Sequence, residues 1–173
     1  EQAVQNTNLK AASLSREKGA EAMQRFENGL NEVRKSYSGT PNEDQVAILV
    51  LHAITAGLKI YNLHSFHIAE ASDEKMDQIE QQINTEENEA SKSLDELASI
   101  AGEKSGQALL QAKTAFSEFM DVTAKVVQLS RQNSNIKSLE LSLGNKRKHI
   151  AQCDEILVAF QKAVQSRTSK ATK

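Results

Sequence analysis

Tryptophan is absent, and proline and cysteine each occur once in 173 residues, with aromatics at only 4%. Sheet proteins turn every several residues and place Gly, Pro, Asn and Asp in those turns. One proline and seven glycines leave room for few sharp turns, which argues against a sheet. The single cysteine, Cys153, excludes an intramolecular disulfide framework and a Cys-rich zinc module. A net charge of −2 provides no global basic field to hold nucleic acid. There is no run of 18 apolar residues. The longest stretch, Val46 to Leu51, is too short to span a bilayer, so no membrane span is expected within the chain. No signal peptide is visible. The sequence opens at Glu1, without methionine, and starts and stops inside helix-like sequence. The expectation is an excised fragment whose flanking membrane spans have been cut away.

What is present favours helix. Hydrophobic residues are 39% and charged residues 25%, in the range of an ordered chain. Ala, Glu, Gln, Lys and Leu, strong helix formers, are abundant together with Ser. From about Gln2 to Tyr37, Leu9, Ala12, Met23, Phe26, Leu30, Val33 and Tyr37 follow spacings of three and four, with Arg16 and Gly19 interrupting. Ser38 to Asn42, containing Gly39 and Pro41, ends this helix. A second helix from near Asn42 carries the seam Val46, Val50, Ala53, Gly57, Ile60, His64, His67 and Ala71. An adjacent seam of Ala47, Ile54, Tyr61 and Ile68 widens its apolar face. The pattern then weakens, and a turn is expected at Glu70–Glu74, Asn84–Asn88 or Ser99–Gly106. Finally Ala115, Val122, Leu129, Ile136, Leu143, Ile150, Leu157 and Val164 recur every seven residues, with Leu139, Cys153 and Phe160 in companion positions. The polar run Ser130 to Asn135 interrupts this stretch. Asn133 or Ser134 is the expected N-cap of a last helix reaching about Ser169.

Four antiparallel helices of roughly 40 residues would use the whole chain. The expected fold is therefore all-α: a single domain over residues 1–173, an elongated up-down-up-down four-helix bundle, with an extra module or a broken helix left open. An even number of helices also puts both termini at one end.

Two segments carry a resemblance. One is His67 to Asp77 (HIAEASDEKMD). The other is Val127 to Leu139 (VQLSRQNSNIKSL), continuing to Leu143-Gly144-Asn145-Lys146-Arg147. Together, over roughly residues 43–165, they resemble the periplasmic four-helix-bundle sensor region of bacterial methyl-accepting chemotaxis proteins, which some sensor histidine kinases share. The resemblance implies a periplasmic domain of an inner-membrane receptor, held between two transmembrane spans. It also implies a parallel homodimer that senses a small molecule at or near the dimer interface. The helix up to Tyr37 exceeds what the smallest members carry, and the amino-acid-binding arginine motif of the best-known chemoreceptors is not identifiable, so no ligand is carried over.

Candidate ligand-contacting residues are Tyr61, His64 and His67 on the second helix, and Arg131, Asn133 and Asn135 around the last break. There, free N–H groups of a helix N-terminus would favour an anion. The competing reading of that break is a turn and cap with solvated charges. His64 and His67 are spaced i, i+3, and His149 and Cys153 i, i+4. If their helices pack side by side, the four could bind zinc or copper. Against this stands a plainer reading: hydrogen-bonded bundle histidines and a small core cysteine. No cofactor is expected, with a metal the secondary reading. Arg16, Arg25 and Arg34 read as surface residues, although Arg16 lies in the apolar stripe. No Gly-rich phosphate loop, Glu-x-x-His metal pair or nucleophile elbow is present, so no enzyme activity is expected. A structural or partner-binding helical bundle is the alternative to a receptor domain.

Overall fold

The computed structural model describes residues 6–171, all in helices apart from short connections. The described residues divide into two compact units, 6–133 and 134–171.

The first unit is a four-helix bundle. Its first helix is built from α1 (Thr7–Leu14), a π-helical segment (Ser15–Gly19) and α2 (Ala20–Ser36). It is followed by α3 (Glu43–Ala69), α4 (Asp73–Ile100) and α5 (Glu103–Gln132). Short connections make sequence neighbours antiparallel, so the topology is up-down-up-down. The expected all-α bundle is present, but it is complete by residue 133. Both Glu70–Glu74 and Ser99–Gly106 contain turns, where one was expected, while Asn84–Asn88 lies inside α4. That second turn shortens each helix, so four helices use only the first 133 residues. The described residues beyond 133 fall in a separate compact unit.

Each turn has a local cause. Gly39 takes φ 74°, a left-handed conformation that glycine adopts without a Cβ clash, and its N–H donates to Glu43 Oε2 at 2.6 Å. At the α3–α4 turn the Glu70 carboxylate accepts the N–H groups of Ala71 and Ser72, each at 2.9 Å. These bonds hold its pKa below the ordinary carboxylate value. Ser72 Oγ then caps α4 by accepting from Lys75 N. At the α4–α5 turn, Tyr37 Oη donates to Ile100 O at 2.8 Å and accepts from Gly102 N at 3.0 Å. One phenol therefore fastens the end of α2 to the far turn.

The core is apolar along most of its length. Phe26, Leu30 and Val33 of α2 meet Val46, Val50, Ala53 and Ile60 of α3, Leu94 and Leu97 of α4, and Leu109, Ala112, Phe116 and Phe119 of α5. Phe26 and Phe116 lie 5.0 Å apart, centre to centre. The α2–α5 approach is close at Gly29, where a Cβ would sit 3.0 Å from the Ala112 backbone nitrogen. Every expected α3 seam residue from Val46 to His67 is buried; Ala71 lies beyond the helix and is exposed. By length and composition α3 is also apolar enough to cross a membrane, with a mean hydropathy of 1.6, although its apolar residues form no unbroken run. Here its inner face is filled by its bundle neighbours, and Ile48, Leu51 and Leu58 remain exposed on its outer face.

Two seams depart from expectation. In the first helix, Thr7, Ala11, Ser15 and Gly19 face inward in steps of four, before Ala22, Met23 and Phe26 take over. The π segment holds one residue more than an α-turn would, which rotates α1 relative to α2. Leu9, expected in the stripe, is therefore 63% exposed. In α5 the buried seam is Leu109, Ala112, Phe116, Phe119, Thr123, Val126 and Ser130; of the expected heptad positions Ala115 is buried, while Val122 and Leu129 are half-buried.

The second unit is α6 (Ser134–Ala171). Asn133, at φ 46°, closes α5 in the left-handed conformation that asparagine tolerates at a helix C-terminus, and α6 begins at the next residue. Leu139, Leu143, Ile150, Leu157 and Phe160 of the heptad pattern are exposed, as is Cys153, which was expected as a core residue. The heptads require a partner surface to be covered, and α6 alone does not provide one.

Candidate functional site

At the end of the bundle where α1, the C-terminal parts of α3 and α5, and the start of α4 meet, the core stops being apolar. His64 and His67, one helical turn apart on α3, point inward and are at most 1% exposed. A buried polar group without a partner is costly, so the surrounding positions must supply hydrogen bonds. They do. His64 Nδ1 lies 2.9 Å from Ser15 Oγ, on the π segment, and His64 Nε2 lies 3.0 Å from Thr123 Oγ1. His67 Nδ1 lies 2.9 Å from Ser130 Oγ and Nε2 lies 2.9 Å from Glu80 Oε1.

The hydroxyls assign the ring protons. Thr123 donates its hydroxyl hydrogen to Phe119 O at 2.9 Å, so its oxygen accepts from His64 Nε2–H. The neutral ring then accepts at Nδ1 from Ser15. Burial and the neighbouring His67 push the His64 pKa down to about 4, in keeping with a neutral imidazole. Ser130 likewise donates to His67 O at 2.7 Å, leaving its oxygen to accept from His67 Nδ1–H. Glu80, as a carboxylate, also only accepts, so both nitrogens of His67 face acceptors. The rings of Tyr61 and Phe119 flank His64 with centres at 5.8 and 5.7 Å.

Around this layer lies a charged clasp. Arg131 Nε donates to Glu80 Oε1 at 2.7 Å, and its terminal nitrogens pair with Asp77 and Asp73. Burial pushes the Glu80 carboxyl up, but hydrogen bonds from Arg131 and His67 outweigh it and hold the pKa below the ordinary value. The bonds to Glu80 and Asp77 raise the Arg131 pKa above its own. Asn133 Nδ2 donates to Glu70 O at 3.1 Å, and Asn8 Nδ2 bridges Ile68 O and Asn133 Oδ1 at 2.9 and 3.1 Å. The polar layer therefore ties α1, α3, α4 and α5 together.

Of the six candidate ligand residues, five converge on this end. Tyr61, His64 and His67 stand on α3, and Arg131 and Asn133 close α5. The side chain of Asn135 lies outside the described residues. Arg131 and Asn133 are engaged with α4, the α3–α4 turn and α1 rather than free for an anion. As for metal, His64 and His67 have both ring nitrogens in hydrogen bonds, and His149 and Cys153 are exposed on α6. Among the described residues no group of three or more His, Cys, Asp or Glu is arranged to hold a metal ion. Sequence reasoning passed over Ser15, Glu80, Thr123 and Ser130. The signal for two of them was present: Thr123 and Ser130 fall on the spacing of three and four that runs through Ala112, Phe116, Phe119 and Val126.

Comparison with protein-family models, with curated proteins and with solved structures gives no match at a significant level.

Proposed function

We propose that this chain is the extracytoplasmic signal-sensing domain of a bacterial transmembrane receptor, of the chemoreceptor or sensor-kinase kind. A small molecule would bind the bundle and shift the end of α5, and the shift would pass into α6. The observation that supports this reading most is the hydrogen-bonded layer at His64 and His67. It brings six polar side chains into the core of a bundle that apolar packing alone would hold together, and α6 leaves from the Asn133 that this layer grips. Such layers have alternative hydrogen-bonded arrangements, and a ligand preferring one of them biases the equilibrium by its differential affinity. The sequence segments around His67 and Ser130, which resemble chemoreceptor sensor regions, support the same reading. In the membrane the domain would work as a homodimer on the periplasmic side, anchored through flanking spans.

The test has two parts. The reading frame around this chain should encode an apolar span of about 20 residues on each side; polar sequence on both sides would end the proposal. A chimera joining the chain, through such spans, to a chemoreceptor signalling module should give a ligand-dependent output. A partner-binding bundle is the second reading, favoured by the exposed apolar residues Ile48, Leu51 and Leu58 on α3 and Leu143, Ile150 and Leu157 on α6.

A further inference from the structure

The π segment and α3 enclose a cleft of about 380 Å³, within the range of about 300–1,000 Å³ usual for small-ligand sites. Ala12, Ser15 and Arg16 line one side, and Tyr61, Asn62 and Ile68 the other. Its walls are mostly carbon, and no acidic residue lines it.

Three polar groups at the cleft are left over by the protein. Arg16 makes only a long bond, 3.4 Å from its Nε to Ala12 O, and no ion pair among the described residues. Two other cations of this end are engaged: Arg131 with Glu80, Asp77 and Asp73, and Lys75 with Glu70. The Tyr61 hydroxyl and the Asn62 side-chain amide have no protein hydrogen-bond partner among the described residues; the Tyr61 ring leans on His64. A free guanidinium, a phenol and an amide therefore border one apolar hollow. Arginine presents paired N–H donors whose geometry matches a carboxylate.

From this geometry we infer that the cleft binds a small organic monocarboxylate with a flat apolar body. Arg16 takes the carboxylate, with Asn62 or the Tyr61 hydroxyl as a second donor, and Ala12, Ile68 and the Tyr61 ring take the body. One guanidinium balances one negative charge, and the carbon walls disfavour a small, strongly hydrated dianion such as inorganic phosphate. The site also touches the polar layer. Ser15, part of its lining, is the residue that holds His64 Nδ1 at 2.9 Å. Occupancy of the cleft would therefore bear on the His64 hydrogen bonds, a consequence that rests on the sensing reading above, whereas the binding chemistry does not.

Titration of the full chain followed by NMR, with benzoate as probe and benzamide as its uncharged counterpart, tests the assignment. Benzoate is expected to bind with a millimolar or tighter dissociation constant, and benzamide at least tenfold more weakly. Arg16→Ala is expected to lose at least tenfold in benzoate affinity, Arg16→Lys to retain part of it, and Arg25→Ala, on another face, to bind as the parent does. Arg16 is exposed, so unchanged melting should certify the fold of its variants. Equal binding of benzoate and benzamide, full binding by Arg16→Ala, or no benzoate binding at millimolar concentration would each overturn the proposal. A chimera that answers another compound while benzoate fails would remove the cleft and leave the sensing reading. Benzoate binding with a silent chimera would do the reverse.

Discussion

His64 and His67 stand three positions apart on one helix and meet opposite surroundings. His64 sits between two hydroxyls, one donating to it and one accepting from it. His67 sits between a hydroxyl oxygen and a carboxylate that both accept. Burial favours the neutral imidazole in the inner ring, while the ring nearer the bundle end is held by Glu80, itself clasped by Arg131.

The neutral state of His64 makes stability depend on pH. Its pKa is depressed in the folded protein, from 6.5 to about 4, so below 6.5 the unfolded chain takes up a proton that the folded one refuses. Stability is then highest above about pH 6.5 and falls as pH drops through the window down to about 4. At about 1.4 kcal/mol per pH unit the loss from this group is about 3 kcal/mol. Protonation of Glu80 acts in the same direction at the acid end. Urea midpoints measured from pH 7 to pH 4 should show the decline, and His64→Gln should flatten it. An identical decline in His64→Gln would remove His64 as its source.

Arg131 is the clasp between α5 and α4. Arg131→Ala is expected to lower stability by about 1–3 kcal/mol, because Glu80 is left half-buried with one partner fewer. Arg131→Lys should recover only part of that, since an ammonium cannot reach Glu80 and Asp77 with a planar fork. Thermal melts of the two variants check the order; equal melting of the parent and the alanine variant would contradict it.

The π segment makes a sharper claim. Deleting Lys18, which is exposed, removes the one extra residue, so the π segment becomes an ordinary α-helical turn while α1 keeps its rotation relative to α2. Thr7, Ala11 and Ser15 should stay inward, and Ser15 should still donate to His64 Nδ1. The deletion is expected to leave the His64 imidazole nitrogen resonances nearly unchanged, whereas Ser15→Ala should move them. Unchanged resonances in Ser15→Ala would show that Ser15 does not hold the ring.

Leu97 and Leu143 separate the bundle from α6. Leu97 is 1% exposed and Leu143 is 47% exposed. Leu97→Ala should cost about 2–5 kcal/mol, the range for a buried leucine. Leu143→Asp, which the heptad count alone would make severe, should change bundle stability by no more than about 0.5 kcal/mol. Chemical unfolding of both variants at low concentration decides it, and a reversed order would place Leu143 in a core.

Much of the fold was legible in the sequence, and the misses have physical reasons. Gly39 and Pro41 announced the first turn because each has one dominant backbone consequence. The α3 seam from Val46 to His67 was readable because a helix buried on one side keeps a strict period. The turn at Ala101–Gly102 was one of three candidates, since tight turns capped through Tyr37 leave little local signal. The shift at Ser15–Gly19 escaped because a spacing count assumes an unbroken α-helix, so Leu9 was placed inside. For the site, the histidines stood out by residue type. Their partners did not: hydroxyl residues are common on helix surfaces, so Thr123 and Ser130 were marked only by their place in the α5 spacing, and Ser15, beyond the π segment's shift, by packing alone.

Asn8 and Asn133 join the first and last helices of the bundle across 125 positions of chain. Closing so long a loop costs entropy before any contact repays it, whereas the α3–α4 pair needs only its short turn. The α3–α4 pair is thus set to form early, and the bonds that α1 makes at the polar end to form late. Bonds formed after the rate-limiting step govern how fast a protein comes apart, not how fast it forms. Asn8→Ala and Ser15→Ala should hasten unfolding while leaving refolding nearly as fast as before. The first helix would then be the last part of the bundle to dock and the first to leave.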